Sequence, residues 1–130
     1  MSQDSQDVGK LVMRVALGLL VLLHGVAKIT GGIGGIGQML QGAGLPPVLA
    51  YGVYVGEVLA PLMLIAGFHA RIGAALIALN MLFAIFLAHR GDLAAFNGQG
   101  GWALELQGMF LFTAIGLAFI GPGRFSANKK

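Results

Sequence analysis

The chain has 130 residues, of which 57% are hydrophobic and only 10% are charged, and it contains no cysteine. Because soluble domains carry about 25% charged residues, this composition excludes an ordinary water-soluble domain, and the lack of cysteine excludes disulfides and thiolate metal sites. The net charge of +3 comes from cations that are too few and too scattered for a nucleic-acid-binding surface. We therefore expect the lipid bilayer, and no nucleic acid, as the main partner.

Four apolar segments predict a single all-α domain over residues 1–130, an integral membrane four-helix transmembrane bundle. Each segment approaches the ~20 residues that a helix needs to cross a hydrocarbon core of about 30 Å. Irregular backbone cannot span lipid, because its polar groups would lack hydrogen-bond partners. The first segment follows a polar leader without the basic start of a signal peptide, so we expect it to be retained. The predicted helices cover about residues 9–30, 47–68, 71–89 and 102–120.

The glycine-rich sequence GGIGGIG at residues 31–37 follows the first predicted helix. It satisfies the pattern GxGxxG, but that pattern indicates dinucleotide binding only after a strand and within a βαβ unit, which the sequence does not predict here. Glycine also makes it costly to continue a helix. We therefore interpret residues 31–46 as a flexible or re-entrant periplasmic loop whose apolar side chains dip into the membrane interface: Ile33, Ile36, Met39 and Leu40.

The distribution of positive charge predicts the topology. Lys28 and Arg90 fall on one side of the predicted bundle, and the other six cations fall on the opposite side, where Arg14 and Arg71 are expected to anchor the inner face. The positive-inside rule makes the side with six cations cytoplasmic. Both termini are therefore predicted to be cytoplasmic, in a multi-pass protein of the bacterial inner membrane.

Small residues predict where helices approach each other closely. Gly52 and Gly56 have the GxxxG spacing in the second helix, and Gly108 and Gly116 lie eight residues apart in the fourth. Such positions let helix backbones pack in a membrane, where no hydrophobic effect drives helices together.

Glu57 is a carboxylate about 15 Å into the second predicted helix, near the midplane of the membrane. Ionisable groups inside membrane spans are costly and are therefore candidate functional residues. Pro61, four residues later, cannot donate the helical hydrogen bond to the carbonyl of Glu57. A protonated Glu57 suits proton-coupled chemistry, whereas an ionised Glu57 suits an ion pair that locks the helices together, and the sequence leaves both open.

Other polar side chains are predicted at a similar depth on separate helices. The convergence predicts a polar pocket in the outer half of the membrane, although structural roles compete: His24 and Lys28 can extend to the interface, and Asn80 can simply tie helices together. Three histidines, His24, His69 and His89, are predicted on different sides, so we expect no metal site. The pocket residues are His24, Lys28, Tyr54, Glu57, Asn80 and Glu105, with Trp102 nearby or in an interfacial aromatic belt.

Several motifs together resemble the DoxX family of small bacterial membrane proteins. These are HG-x2-K at residues 24–28, GE at 56–57, GGW-x2-E at 100–105 and GPGR at 121–124. The resemblance covers nearly the whole chain and implies a four-helix inner-membrane protein. The members that give the family its name are linked to a thiosulfate:quinone oxidoreductase associated with a terminal quinol oxidase.

The resemblance therefore implies a quinone-linked redox subunit that works with a partner redox subunit. We assign the catalytic role to Glu57, His24 and Lys28, where a carboxylate or imidazole could exchange the protons that quinone reduction requires. Contacts to the quinone are assigned to Tyr54, Asn80, Glu105 and Trp102. Two alternatives remain open: a non-catalytic scaffold or assembly subunit, which could also form a homo-oligomer, and a small-solute or proton pathway.

Overall fold

The computed structural model describes residues 3–32, 34–86 and 101–128. The regular elements within these ranges are helices, which confirms the all-α prediction. In chain order, the helices are α1 (Gln3–Gly31), α2 (Gly34–Gly42), α3 (Val48–Ala66), α4 (Ala70–Ala84) and α5 (Glu105–Ile120).

Helix α1 begins at Gln3 instead of residue 9, so the polar leader is part of the helix. Asp4 lies in the first turn, where a negative charge stabilises the helix dipole. The amide of Gln3 donates a hydrogen bond to Asp7 at 3.3 Å. Asp7 is buried, and Arg124 from the end of the chain lies 3.8 Å from its carboxylate. The leader is helical because its acidic side chains have partners there.

Helix α2 lies within the segment that we predicted to be a glycine-rich loop, so that interpretation is wrong for Gly34–Gly42. The helix packs against the first turn of α3, and Leu40 is completely buried. Tertiary packing of this kind routinely overrides the low helix propensity of glycine. The helix ends before Gly44, which has a φ of 78° and lets the chain turn toward α3.

Helix α3 changes its hydrogen-bonding pattern along its length. Its first residues belong to a 3-10 turn (Pro47–Tyr51) that begins one residue before the bounds given above, and one α-helical turn, a π-helical turn (Val55–Leu59) and a regular α-helix from Ala60 follow. In the π turn, the amide of Ala60 donates to the carbonyl of Val55, five residues earlier. Such turns commonly occur at functional sites, and this one contains Glu57.

Helices α3 and α4 are antiparallel neighbours, because the turn between them is tight. Gly67 (φ 73°) and His69 (φ 47°) both adopt the left-handed conformation there. Helix α5 packs against α4 and α1. The buried core between the four long helices contains Leu17, Val21, Leu64, Ala74, Ile77, Met81, Phe110, Leu111, Ala114 and Leu117.

The outer faces of the helices are strongly apolar. Leu23, Met109 and Phe119 are between 65 and 78% exposed, as expected for side chains that face lipid. Among the described residues, α1 and α3 are long and apolar enough to cross a membrane, and α4 and α5 are shorter apolar helices.

The chain after α5 folds back over the first half of α1. Arg14 is buried and donates hydrogen bonds to the carbonyl oxygens of Pro122 (2.7 Å) and Phe125 (2.8 Å). Arg71 donates to the carbonyl of Phe119 at 2.7 Å, in the last turn of α5. Beyond the anchoring role expected of them, the two arginines therefore hold backbone carbonyls at the end of the chain.

Candidate functional site

A cavity of about 270 Å³ lies at the end of the molecule where α1 finishes. All five helices contribute to its wall, and most of the lining side chains are apolar. Helix α1 contributes Val21, His24 and Lys28, α2 contributes Ile36 and Met39, α3 contributes Val53 and Glu57, α4 contributes Asn80, Met81, Phe83 and Ala84, and α5 contributes Leu106, Gln107 and Phe110.

Glu57 is the centre of the polar part of this wall. Its Oε1 atom lies 2.6 Å from Nζ of Lys28 on α1, and its Oε2 atom accepts a hydrogen bond from Nδ2 of Asn80 on α4 at 3.0 Å. The side chain of Glu57 is 5% exposed and that of Lys28 is 28% exposed. Of the two states that the sequence left open, the structure contains the ion pair, which joins α1 to α3, and the hydrogen bond from Asn80 adds α4.

Two glycines allow the helices to come close enough for these contacts. Gly25 of α1 packs directly against the main-chain carbonyl of Glu57, and Gly56 packs against the side chain of Asn80. A Cβ atom at either position would overlap its neighbour. Of the four glycines predicted to mark close helix contacts, Gly56 lies against another helix and Gly108 lies against the nearby ring of Trp102, whereas a Cβ at Gly52 or Gly116 would have no neighbour within 4 Å.

His24 lies on the same wall, one helical turn before Lys28. Its ring meets the ring of Phe110 edge-on, with centroids 5.7 Å apart. Unlike Glu57, His24 is exposed. The structure thus brings together all three residues to which we assigned a catalytic role, with one of them accessible and two of them paired with each other.

Tyr54 supports the polar wall from outside the cavity. Its hydroxyl donates a hydrogen bond of 3.4 Å to the main-chain carbonyl of Lys28. This contact links the first part of α3 to the last turn of α1, so Tyr54 helps to position the ion pair.

Glu105 and Trp102 lie outside the lining of the cavity. The ring of Trp102 packs against Gly108, and the main-chain amide of Glu105 donates to the carbonyl of Trp102 at 3.0 Å. The side chain of Glu105 is exposed. Their assignment to cofactor binding stays a prediction. His89 and Arg90 fall outside the described residues.

The sequence analysis did not place α2 or the apolar residues of α5 at the site, whereas a polar contribution from Gln107 in the first turns of α5 was expected. Ile36 and Met39 line the cavity because α2 is a helix, which the glycine-rich sequence hid. Gln107 and Phe110 lie three residues apart on α5, the spacing that places two side chains on one helical face. Because Gln107 is a polar residue in an apolar helix, this spacing could have identified Phe110 as a residue on the same face.

The described residues contain no group of three His, Cys, Asp or Glu side chains that could hold a metal ion. The cavity instead combines apolar and aromatic walls with an ion pair, two amides and one accessible imidazole. Such a mixture is typical of sites for small organic molecules, in which a few polar groups fix the orientation of an otherwise apolar ligand. Histidine additionally exchanges protons near neutral pH.

Comparison with known proteins gives two similar curated relatives and one family model. The DoxX model matches residues 9–90. The chain is 32% identical to a Bacillus subtilis (strain 168) protein named "Putative oxidoreductase CatD", with 95% of this chain and 86% of the relative aligned. It is 31% identical to an Escherichia coli (strain K12) protein named "Inner membrane protein YqjF", with 95% of this chain and 92% of the relative aligned. No solved structure matches the chain significantly.

Proposed function

The chain belongs to the DoxX family of membrane proteins, and from this membership and the cavity we propose that it is the membrane subunit of a quinone-linked oxidoreductase. The observation that carries the proposal is the largely apolar cavity with Lys28, Glu57, Asn80 and His24 on one wall. The printed names of the two relatives, "Putative oxidoreductase CatD" and "Inner membrane protein YqjF", support the redox role and the bacterial inner membrane as the location. In this proposal, the helices form a four-helix transmembrane bundle with both termini cytoplasmic and the cavity in the periplasmic half.

The residues of the cavity fit a quinone head group. A volume of about 270 Å³ is close to the lower end of small-molecule sites, ~300 Å³, which suits one or two fused rings with a tail that leaves between helices. Met81 and Phe110 offer apolar surface to the ring faces. Asn80 uses one N–H for Glu57, and its second N–H can donate to a quinone carbonyl, as can the amide of Gln107.

A bound quinone would supply an acceptor for two electrons and two protons. His24 would hold and pass the protons, because it is accessible and because imidazole takes up and releases protons near neutral pH. Glu57 would hold Asn80 and Lys28 in place, since both of its oxygens are engaged. The apolar side chains around the cavity would exclude bulk water. We propose that the electrons come from a partner redox subunit.

A cavity-filling substitution tests this function without disturbing the polar wall. Ala84 lines the cavity, whereas Ala75, on the same helix α4, is exposed on the outer face. In nanodiscs, a short-tailed quinone analogue should bind saturably to the wild type and to Ala75→Phe. Its affinity for Ala84→Phe should fall at least about tenfold, because the new ring occupies the space of the ligand. Calorimetry measures the affinity, and thermal unfolding confirms that both variants are folded.

The alternative is a non-catalytic scaffold, and one observation favours it: Glu57 is engaged by side chains from two other helices, which is what a structural clamp would show. A scaffold would bind no quinone saturably, and Glu57→Gln would mainly lower the folded yield. If wild-type protein fails to bind the quinone analogue, or if Ala84→Phe and Ala75→Phe bind it equally, the scaffold becomes the preferred function.

A further inference from the structure

We infer that the cavity accepts only an electrically neutral head group and rejects inorganic anions, because Glu57 already occupies the position that an anion would take beside Lys28. The identity of the neutral ligand as a quinone rests on the proposed function. The argument that the cavity disfavours anions does not depend on that function. Among the described residues that line the cavity, His24 is the third ionisable side chain and adds no charge while its imidazole is neutral, and Lys28 and Glu57 form an ion pair at 2.6 Å. Their charges sum to zero.

An anion at Lys28 would have to share the ammonium group with the carboxylate of Glu57, which would repel it as a like charge. That carboxylate is almost completely buried, and Asn80 holds its second oxygen at 3.0 Å. If Lys28 turned away to an incoming anion, Glu57 would lose its counter-ion and keep the hydrogen bond from Asn80. Breaking a buried ion pair in this way is strongly unfavourable.

A neutral acceptor brings no charge that Glu57 would repel. An ammonium group has three N–H donors, and Glu57 takes one from Lys28 in the recorded contact. The amide of Asn80 has a second N–H beyond the one given to Glu57. A carbonyl oxygen could therefore accept a hydrogen bond while the ion pair stays intact and no second negative charge lies beside Glu57, which favours a quinone over a sulfur oxyanion.

The consequence for the reaction is that its two halves would take place on different subunits. If the electron donor of the complete enzyme is an oxyanion such as thiosulfate, its oxidation must take place on a partner subunit and not in this cavity. The chain would then provide the quinone side of the reaction alone.

Substitution of Glu57 should convert the neutral site into an anion site. In Glu57→Gln, Lys28 loses its built-in counter-ion and faces the cavity with an uncompensated charge. Full-length protein in nanodiscs is titrated with sodium thiosulfate at constant ionic strength and at pH 8, above the usual titration range of histidine. We expect no saturable binding to wild type, and saturable binding to Glu57→Gln with an affinity at least on the order of 100-fold above the detection limit set by the wild type. Lys28→Met/Glu57→Gln, which has no cation, should bind no thiosulfate.

Saturable binding of thiosulfate to the wild type, lost in Lys28→Met, would overturn the inference, and so would a folded Glu57→Gln protein that binds no anion. If Glu57→Gln does not fold, the titration of the wild type still shows whether the cavity binds thiosulfate. The exchanged pair Lys28→Glu/Glu57→Lys offers a second neutral cavity, in which thiosulfate binding would again contradict the inference. Failure of the quinone analogue to bind would contradict the proposed function. The thiosulfate titrations would still test whether the cavity rejects anions.

Discussion

Gly25 of α1 and Glu57 of α3 are in direct contact, with the α-carbon of the glycine against the main-chain carbonyl of the glutamate. Pro61 has no N–H to donate to this carbonyl, so a regular α-helical bond to it is absent. Lys28 lies one turn beyond Gly25 on α1. The contact therefore sets the distance between α1 and α3 one helical turn before the ion pair. A small residue at position 25 is therefore a condition for the contact between Lys28 and Glu57.

Replacement of Gly25 by alanine should destabilise the protein. The new methyl group would overlap a main-chain carbonyl, which cannot move aside as a flexible side chain could, and overpacking of this kind costs about 1–3 kcal/mol. Gly9→Ala is the matched control on the same helix, because a Cβ there has no neighbour within 4 Å. Gly9→Ala should be neutral or stabilising by up to ~1 kcal/mol through helix propensity. Reversible unfolding in detergent measures both, and equal effects would contradict the close contact.

The ion pair between Lys28 and Glu57 should show strong thermodynamic coupling. Removal of one partner leaves the other charge buried and should cost about 3–5 kcal/mol, whereas replacement of both by neutral residues should cost much less than the sum. Arg124 and Asp4 form the comparison pair, because their side chains are 51 and 67% exposed. Their coupling should be below about 1 kcal/mol. Double-mutant cycles on unfolding free energies measure both couplings. Similar values would show that the Lys28–Glu57 pair is effectively solvated.

Arg14 should hold the end of the chain against α1. Arg14→Met removes both hydrogen bonds to the carbonyls of Pro122 and Phe125. An unsatisfied buried polar group costs about 1–3 kcal/mol, so the end segment should detach before the helices unfold. Trypsin cleavage after Arg124 should then accelerate at least about tenfold, measured by mass spectrometry. Lys10→Met, one turn earlier on α1, is the control, and an equal acceleration there would argue against a specific role for Arg14.

The sequence predicted four of the polar residues that meet, because their depth along each helix could be counted from the helix ends, whereas Tyr54, Trp102 and Glu105 lie outside the cavity lining. His24, Lys28, Glu57 and Asn80 were placed at similar depths and line one cavity in the structure. Depth could not show whether Glu57 is a free acid or an ion-pair partner. That distinction depends on how each helix rotates about its own axis, which places the side chains of Lys28 and Asn80 on the carboxylate.

The rotation of a helix about its axis also explains why the prediction for Gly52 was wrong. Gly52 and Gly56 are equivalent by spacing, yet only Gly56 has a close neighbour, because it alone faces α4. Helix α2 escaped prediction for a different reason: local glycine content favoured a loop, while burial of Leu40 against α3 stabilises a helix. Propensity is local, whereas this burial depends on residues that are close only in the folded protein.

Trp102 should report on the packing of α5 through its fluorescence, since it is the single tryptophan of the chain. A Cβ atom at Gly108 would lie 2.6 Å from the indole ring, so Gly108→Ala should displace the ring and shift its emission to the red. Gly116→Ala adds the same methyl group to α5 where nothing lies within 4 Å, and the emission should be unchanged. If both variants had the spectrum of the wild type, the ring would not pack on Gly108, and Trp102 would instead be an interfacial belt residue that is independent of α5.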